Sequence, residues 1–173
     1  RHLRSHARPR MASLILRDEL TDLFNRRYIL ERIDEEVSRS GRHGRKFCLV
    51  YFDLDDFKLV NDRFGHHAGD EFLKQAARML EKNVRREDVM ARLGGDEFLA
   101  LLPDTTPSEA ANLVLRMHTR FSSEEFYCAE TEPLKNQTFS AGIASFPDDG
   151  DTVEKLQAAA DANMYQNKQS RAD

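Results

Sequence analysis

The chain has 173 residues and a formal net charge of −4, with 40% apolar and 32% charged residues. That profile suits one water-soluble globular domain with a sizeable core, and it excludes a disordered chain or one drawn globally to nucleic acid or anionic membrane. No apolar run reaches the roughly 18 residues of a bilayer span and no signal-peptide pattern is present. A cytoplasmic domain is expected, of a full-length protein that could be membrane-tethered, and with the charge near balance no DNA or RNA partner is expected.

Residues 1–10 carry four arginines and two histidines with almost nothing apolar. The stretch 1–17 is read as a linker, a stalk or a cloning remnant, and residues 18–173 as the domain proper. Leu14, Ile15, Glu19 and Leu20 give a short helical pattern leading in, and a regulatory or sensory domain is expected upstream. Ile29, Leu30, Ile33 and Val37 place an amphipathic helix over 26–40, followed by a basic loop over 40–46. The apolar run 47–53, ending in acid, reads as a buried central strand. A short helix is expected over 57–64, a turn at Gly65, and a longer helix from Gly69 to about Asn83.

Strands over 89–93 and 97–102 flank Gly94-Gly95 and form a hairpin. Thr106-Pro107-Ser108-Glu109 is a helix start, with Thr at the N-cap, Pro at the first helical position and Glu closing a capping box; that helix runs to about Phe121. Strands are expected over 126–129 and 139–146, and Asp151 or Thr152 caps a last helix to about Asn167. The order indicates a mixed α/β (α+β) domain with a largely antiparallel central sheet. Cys48 and Cys128 have no metal-ligand spacing and read as reduced, structural residues.

The chemistry concentrates in Leu93-Gly94-Gly95-Asp96-Glu97-Phe98. Glycines let a backbone approach a nucleotide closely, and carboxylates hold a divalent cation over its phosphates. Asp53 ends the central strand, where a carboxylate opens onto a crevice beyond the strand ends; the other reading is that it caps the next helix. Asp55 and Asp56 are expected to act as caps. A hairpin beside that strand brings Asp96 and Glu97 to Asp53, and such carboxylates repel unless a cation joins them. Mg²⁺ is the natural choice, with Mn²⁺ as its substitute, because it takes few carboxylates plus substrate phosphates.

Asp53-Leu54-Asp55-Asp56-Phe57-Lys58-Leu59-Val60-Asn61-Asp62, then Phe64-Gly65-His66, Gly69-Asp70 and Gly94-Gly95-Asp96-Glu97-Phe98, resemble the GGDEF family of diguanylate cyclases. The likeness extends to Asp18-Glu19-Leu20-Thr21-Asp22-Leu23-Phe24-Asn25-Arg26-Arg27, to Ser140-Ala141-Gly142-Ile143-Ala144 and to the helix Ala160–Lys168. The resemblance implies a nucleotide-cyclase/polymerase-palm-like fold with a five-stranded sheet, flanking helices and an extra hairpin. It also implies condensation of two GTP molecules into cyclic di-GMP, in bacterial second-messenger signalling.

Carried over, the resemblance implies Asp53, Asp96 and the Leu54 carbonyl as Mg²⁺ ligands, with Asp96, Glu97 and Lys58 as catalytic groups. Glu97 would help deprotonate the attacking 3′-hydroxyl. The backbone of Leu54, Asp56 and Phe57 would cradle phosphate at a helix start, with Gly94 and Gly95 close by and Lys168 supplying charge. Asn61 and Asp70 match the guanine-binding pair, and a carboxylate accepting from guanine N–H donors would favour GTP over ATP. His66 matches a turn and reads as structural. Arg85 and Asp88, nine and six residues before Gly94, match an inhibitory product site, with Arg116 as a further arm.

The sequence departs from the family after Lys168. Gln169-Ser170-Arg171 displaces the usual second phosphate-binding arginine and lacks its glycine, and Arg171 is the residue expected to reach the substrate triphosphate in its stead. One site presents one GTP, so cyclisation implies a homodimer. The alternative reading is a non-catalytic receptor module for GTP or cyclic di-GMP.

Overall fold

The computed structural model describes residues 16–128 and 130–172; the arginine-rich start, Leu14, Ile15 and Ala129 lie outside them. Ten elements follow in order: β1 Phe24–Asn25, α1 Arg26–His43, β2 Phe47–Leu54, α2 Phe57–Phe64, α3 His66–Lys82, β3 Val89–Gly94, β4 Glu97–Pro103, α4 Pro107–Ser123, β5 Phe139–Phe146 and α5 Val153–Ala172. The sheet order is β1-β3-β4-β2-β5, with β1 parallel to β3 and every other pair antiparallel. The sheet is therefore open and mixed α/β with five strands, and largely antiparallel as expected.

β2 is an inner strand, between β4 and β5, and buried along all eight residues, because helices cover both faces. Its side chains alternate between two cores. Leu49 and Tyr51 join Ile29, Ile33, Leu156 and Met164 under α1 and α5. Val50, Phe52 and Leu54 join Val60, Phe72, Leu113 and Phe121 under α2, α3 and α4.

Local signals explain most boundaries. Asn25 caps α1 by accepting from the Tyr28 N–H, and Gly44 ends it in the left-handed conformation at φ 62°. The Thr106–Glu109 capping box forms in full with Pro107 at the first position of α4. Gly65, at φ 89°, separates α2 from α3, which begins at His66, three residues before the expected start.

Two expectations need correction. The segment expected as a strand over 126–129 makes only an isolated antiparallel bridge, Phe126 to Leu134, among the described residues. Its Phe126 ring packs against Phe72 and Phe121 instead of extending the sheet. The fifth strand is β1, two residues too short to leave a periodic signal. α5 also runs to Ala172, well past Asn167. No helix of the described residues is long and apolar enough to cross a membrane.

Candidate active site

The site forms where β2 ends beside the β3–β4 turn. Asp53 is in register with Glu97 of β4 on one side and Ser140 of β5 on the other. Gly94 pairs with Glu97, so Gly95 and Asp96 form a two-residue turn. Gly94 and Gly95 have φ of 140° and 51°, which disfavour side chains, and a Cβ on either would meet nothing within 4 Å. The turn is therefore both glycine-dependent and open. The Leu54 N–H donates to the Asp96 carbonyl at 3.2 Å, fastening the turn to the end of β2.

Arg92 braces the turn from behind. Its Nε donates to the Gly95 carbonyl at 3.0 Å, and its Nη1 donates to both Asp18 carboxylate oxygens at 3.2 Å. Asp18 in turn accepts from the Thr21 N–H and hydroxyl. The Asp18–Thr21 segment is thus bonded directly to the turn that carries Asp96.

The electrostatics are those of crowded acid. Asp96 shares a hydrogen bond with Asp53; burial first, then that neighbouring carboxylate and the Glu97 charge, push its pKa up to about 6. Lys168 of α5 donates to Asp53 Oδ2 at 2.6 Å, and that bond holds the ammonium above its ordinary pKa. The Tyr51 hydroxyl donates to Glu97 Oε2 at 2.8 Å, and burial followed by this bond raises the phenol well above its usual range.

Among the described residues, no three His, Cys, Asp or Glu side chains are grouped to hold a metal. The donor set of two adjoining carboxylates, Asp53 and Asp96, plus the Leu54 carbonyl nevertheless fits a hard cation that completes its shell with phosphate and water. The pKa of Asp96, raised by burial first and then by the neighbouring carboxylates, marks a group whose charged form a bound cation would stabilise.

The neighbouring acids take other roles than expected. Asp56 sits at the N-cap of α2 with φ 56° but makes no side-chain cap bond. Asp55 turns to the Thr138 and Ser140 hydroxyls, at 2.6 and 2.7 Å. Neither carboxylate caps the helix, so the first turn of α2, including Phe57 and the exposed Lys58, has no side-chain cap. Asn61 lies against Gly69, where any Cβ would collide with the Asn61 Oδ1, and Asp70 follows on the exposed surface of α3.

Arg171 does not point to the Asp53–Asp96 centre. Its Nη1 donates to the Phe139 carbonyl at 2.7 Å, touches His118 at 3.1 Å and lies 3.9 Å from Asp55.

Arg85, Asp88 and Arg116 do come together, lining a cavity of about 230 Å³ with Asn83, Thr105 and Glu109. Asp88 is turned inward, its side chain 1% exposed. It accepts from the Arg85 backbone N–H at 2.7 Å and from the guanidinium at 3.1 and 3.3 Å. Arg85 Nη2 also donates to the Pro103 carbonyl and the Thr105 hydroxyl, both at 2.9 Å.

Tyr51 and Arg92 carry site geometry and were not singled out in the sequence. The signal was present: alternation puts Tyr51 on the face of Asp53, and a buried phenol or guanidinium needs a partner.

Fold and site together define a nucleotide-cyclase-type domain, and the chain belongs to the family described as Diguanylate cyclase, GGDEF domain, which its residues 15–173 match. It is 38% identical over 157 residues to the response regulator PleD of Caulobacter vibrioides, covering 91% of this chain and 35% of that protein. It is 39% identical over 158 residues to the diguanylate cyclase DgcP of Pseudomonas aeruginosa, covering 91% of this chain and 23% of that protein. The chain spans well under half the length of either relative. The solved coiled coil and GGDEF domain of DgcB from Caulobacter crescentus, in complex with c-di-GMP, matches with a TM-score of 0.88 at 26% identity, covering 94% of this chain and 85% of that one.

Proposed function

We propose that this domain is a diguanylate cyclase that condenses two GTP molecules into cyclic di-GMP and two pyrophosphates. The observation that carries the reading is the convergence of Asp53, Asp96 and Glu97 at one strand end, under an open glycine turn. The naming of DgcP as a diguanylate cyclase and the c-di-GMP bound to DgcB support it.

Asp53, Asp96 and the Leu54 carbonyl would hold Mg²⁺, which when bound neutralises phosphate charge and lowers the pKa of the attacking hydroxyl. The 3′-oxygen of one GTP attacks the α-phosphorus of another; the new P–O bond forms as the bond to pyrophosphate breaks. Glu97, held by the Tyr51 hydroxyl, takes the 3′-proton. A second, symmetric transfer closes the ring, so two domains must face each other.

Uncapped amides at the start of α2, with Lys58, would bind phosphate oxygens, and Lys168 would move from Asp53 toward them. Asn61 and Asp70 would read the guanine edge. Cyclic di-GMP would bind back at Arg85 and Arg116, with Asp88 holding the Arg85 fork in place, as feedback inhibition.

The test is incubation of the chain with GTP and Mg²⁺ over a range of protein concentrations, with nucleotides separated by chromatography. Cyclic di-GMP formed at a rate steeper than linear in protein is expected. Cyclic di-GMP binding without turnover at any concentration would instead assign the domain as a receptor.

A further inference from the structure

Among the described residues β5 is an edge strand, paired only with β2. Alternate carbonyls along such an edge point out of the sheet and need partners. Here α5 supplies them in order. Asn163 Nδ2 donates to the Ile143 carbonyl at 2.8 Å, Asn167 Nδ2 to Ala141 at 2.8 Å, and Arg171 Nη1 to Phe139 at 2.7 Å. The donors are spaced four residues apart on the helix and the acceptors two apart on the strand. The two steps are nearly equal, about 6 Å at 1.5 Å per helical residue and about 6.8 Å at 3.4 Å per strand residue, so helix and strand stay in phase over three rungs.

Close approach makes the ladder possible. Gly142 lies between two rungs, and any Cβ there would collide with the backbone of Ala160 and Met164. With the helix backbone against the strand, an asparagine is long enough to reach a carbonyl. At the far end Asp149 continues the pattern, donating its N–H to the Ser145 carbonyl at 2.8 Å and accepting from the Ser145 N–H at 2.7 Å.

Lys168 directly follows a rung residue and reaches Asp53 Oδ2 at 2.6 Å. A slip of α5 along β5 would carry Lys168 off Asp53.

We propose that Asn163, Asn167 and Arg171 are positioning residues, a ladder that sets the register of α5 on β5 and thereby places the Lys168 ammonium at Asp53. The proposal rests on the cyclase reading for the meaning of Lys168. The ladder also accounts for Arg171: its guanidinium is the third rung.

The test uses the full chain carrying Asn163→Ala and Asn167→Ala together. Alanine favours helix more than asparagine does, so α5 keeps its propensity while losing two donors. Acylation of Lys168 by an amine reagent, read by mass spectrometry against the exposed Lys82, should rise several-fold. The kcat should fall about 10- to 100-fold, as displacement of a charged group by an ångström or so produces, with a smaller change in KM for GTP. If circular dichroism shows the double variant unfolded, Asn167→Ala alone carries the same measurement. An unchanged Lys168-to-Lys82 labelling ratio in a folded variant would overturn the ladder. A parent chain with no turnover would overturn the cyclase reading instead, and the labelling ratio would still decide the ladder.

Discussion

At the Arg85–Asp88 corner, charges are matched inside the chain: Asp88 is buried and bonded to Arg85 at backbone and side chain, and Arg85 is bonded onward to Pro103 and Thr105. At the end of β2 they are not. Asp53, Asp96 and Glu97 meet with Lys168 as the cation in direct contact, and Asp96 is left with a pKa of about 6. A corner satisfied from within presents a rigid fork and gains little from a ligand beyond the contacts made. A centre with excess acid is held under electrostatic strain that a cation and its phosphates would release. The first arrangement suits recognition, the second chemistry.

The contrast can be broken most sharply at the acid centre. Glu97→Gln should lower kcat roughly 100- to 10,000-fold, the range for loss of a general base, with the fold intact by circular dichroism. Turnover at the parent's rate would remove Glu97 from the mechanism. Asp96→Asn should also abolish turnover, yet raise the melting temperature at pH 8 without divalent cation. The folded chain holds the Asp96 proton up to about pH 6, against 3.8 for the ordinary group, so this stabilisation is complete at low pH and lost as pH rises through 6. Asparagine has no charge to acquire. A lower melting temperature for that variant would show that the acids are not in conflict.

Gly69→Ala should come next in size. The displaced atom is the end of the flexible Asn61 side chain, so stability should hardly change while KM for GTP rises about tenfold, a modest share of what unpaired polar groups can cost. At the matched corner the sign reverses. Asp88→Ala should destabilise by about 1–3 kcal/mol in chemical denaturation, because the Arg85 donors lose a buried acceptor. Arg85→Ala, on the half-exposed side of the pair, should cost less and relieve product inhibition without lowering the initial rate. Equal losses of stability from the two would contradict the division of labour.

The smallest effect concerns His118, whose pKa is lowered by burial first and then by the Arg171 charge. The folded chain binds that proton less readily than the unfolded one. Stability should therefore fall gently as pH drops below about 6.5, and His118→Phe should flatten the slope.

Features set by neighbours in the chain were legible in advance. The strand of β2 followed from an unbroken apolar run, α4 from its capping box, and α2 and β5 were expected over the bounds observed. The Gly94–Glu97 turn and the meeting of Asp53 with Asp96 also followed, since a hairpin fixes where its tip lies once it pairs with a neighbouring strand. β1 was missed because two residues show no periodicity and pair with a strand far along the chain. The strand expected near Phe126 failed because aromatic content alone provides no open edge to pair with.

The amino-acid sequence by itself determined which side chains this protein has for its chemistry and on which local elements they ride, because capping, alternation and turn conformation act over a few residues. Only the tertiary structure decided what those side chains touch. Lys168 meets Asp53 across 115 residues of chain, Tyr51 meets Glu97 across 46, and Arg92 meets Asp18 across 74. The same packing bonds Arg171 to the Phe139 carbonyl of β5 and Asp88 to Arg85. Such partners are chosen by the register of helix on sheet and strand on strand, which depends on the whole buried surface and not on any one segment.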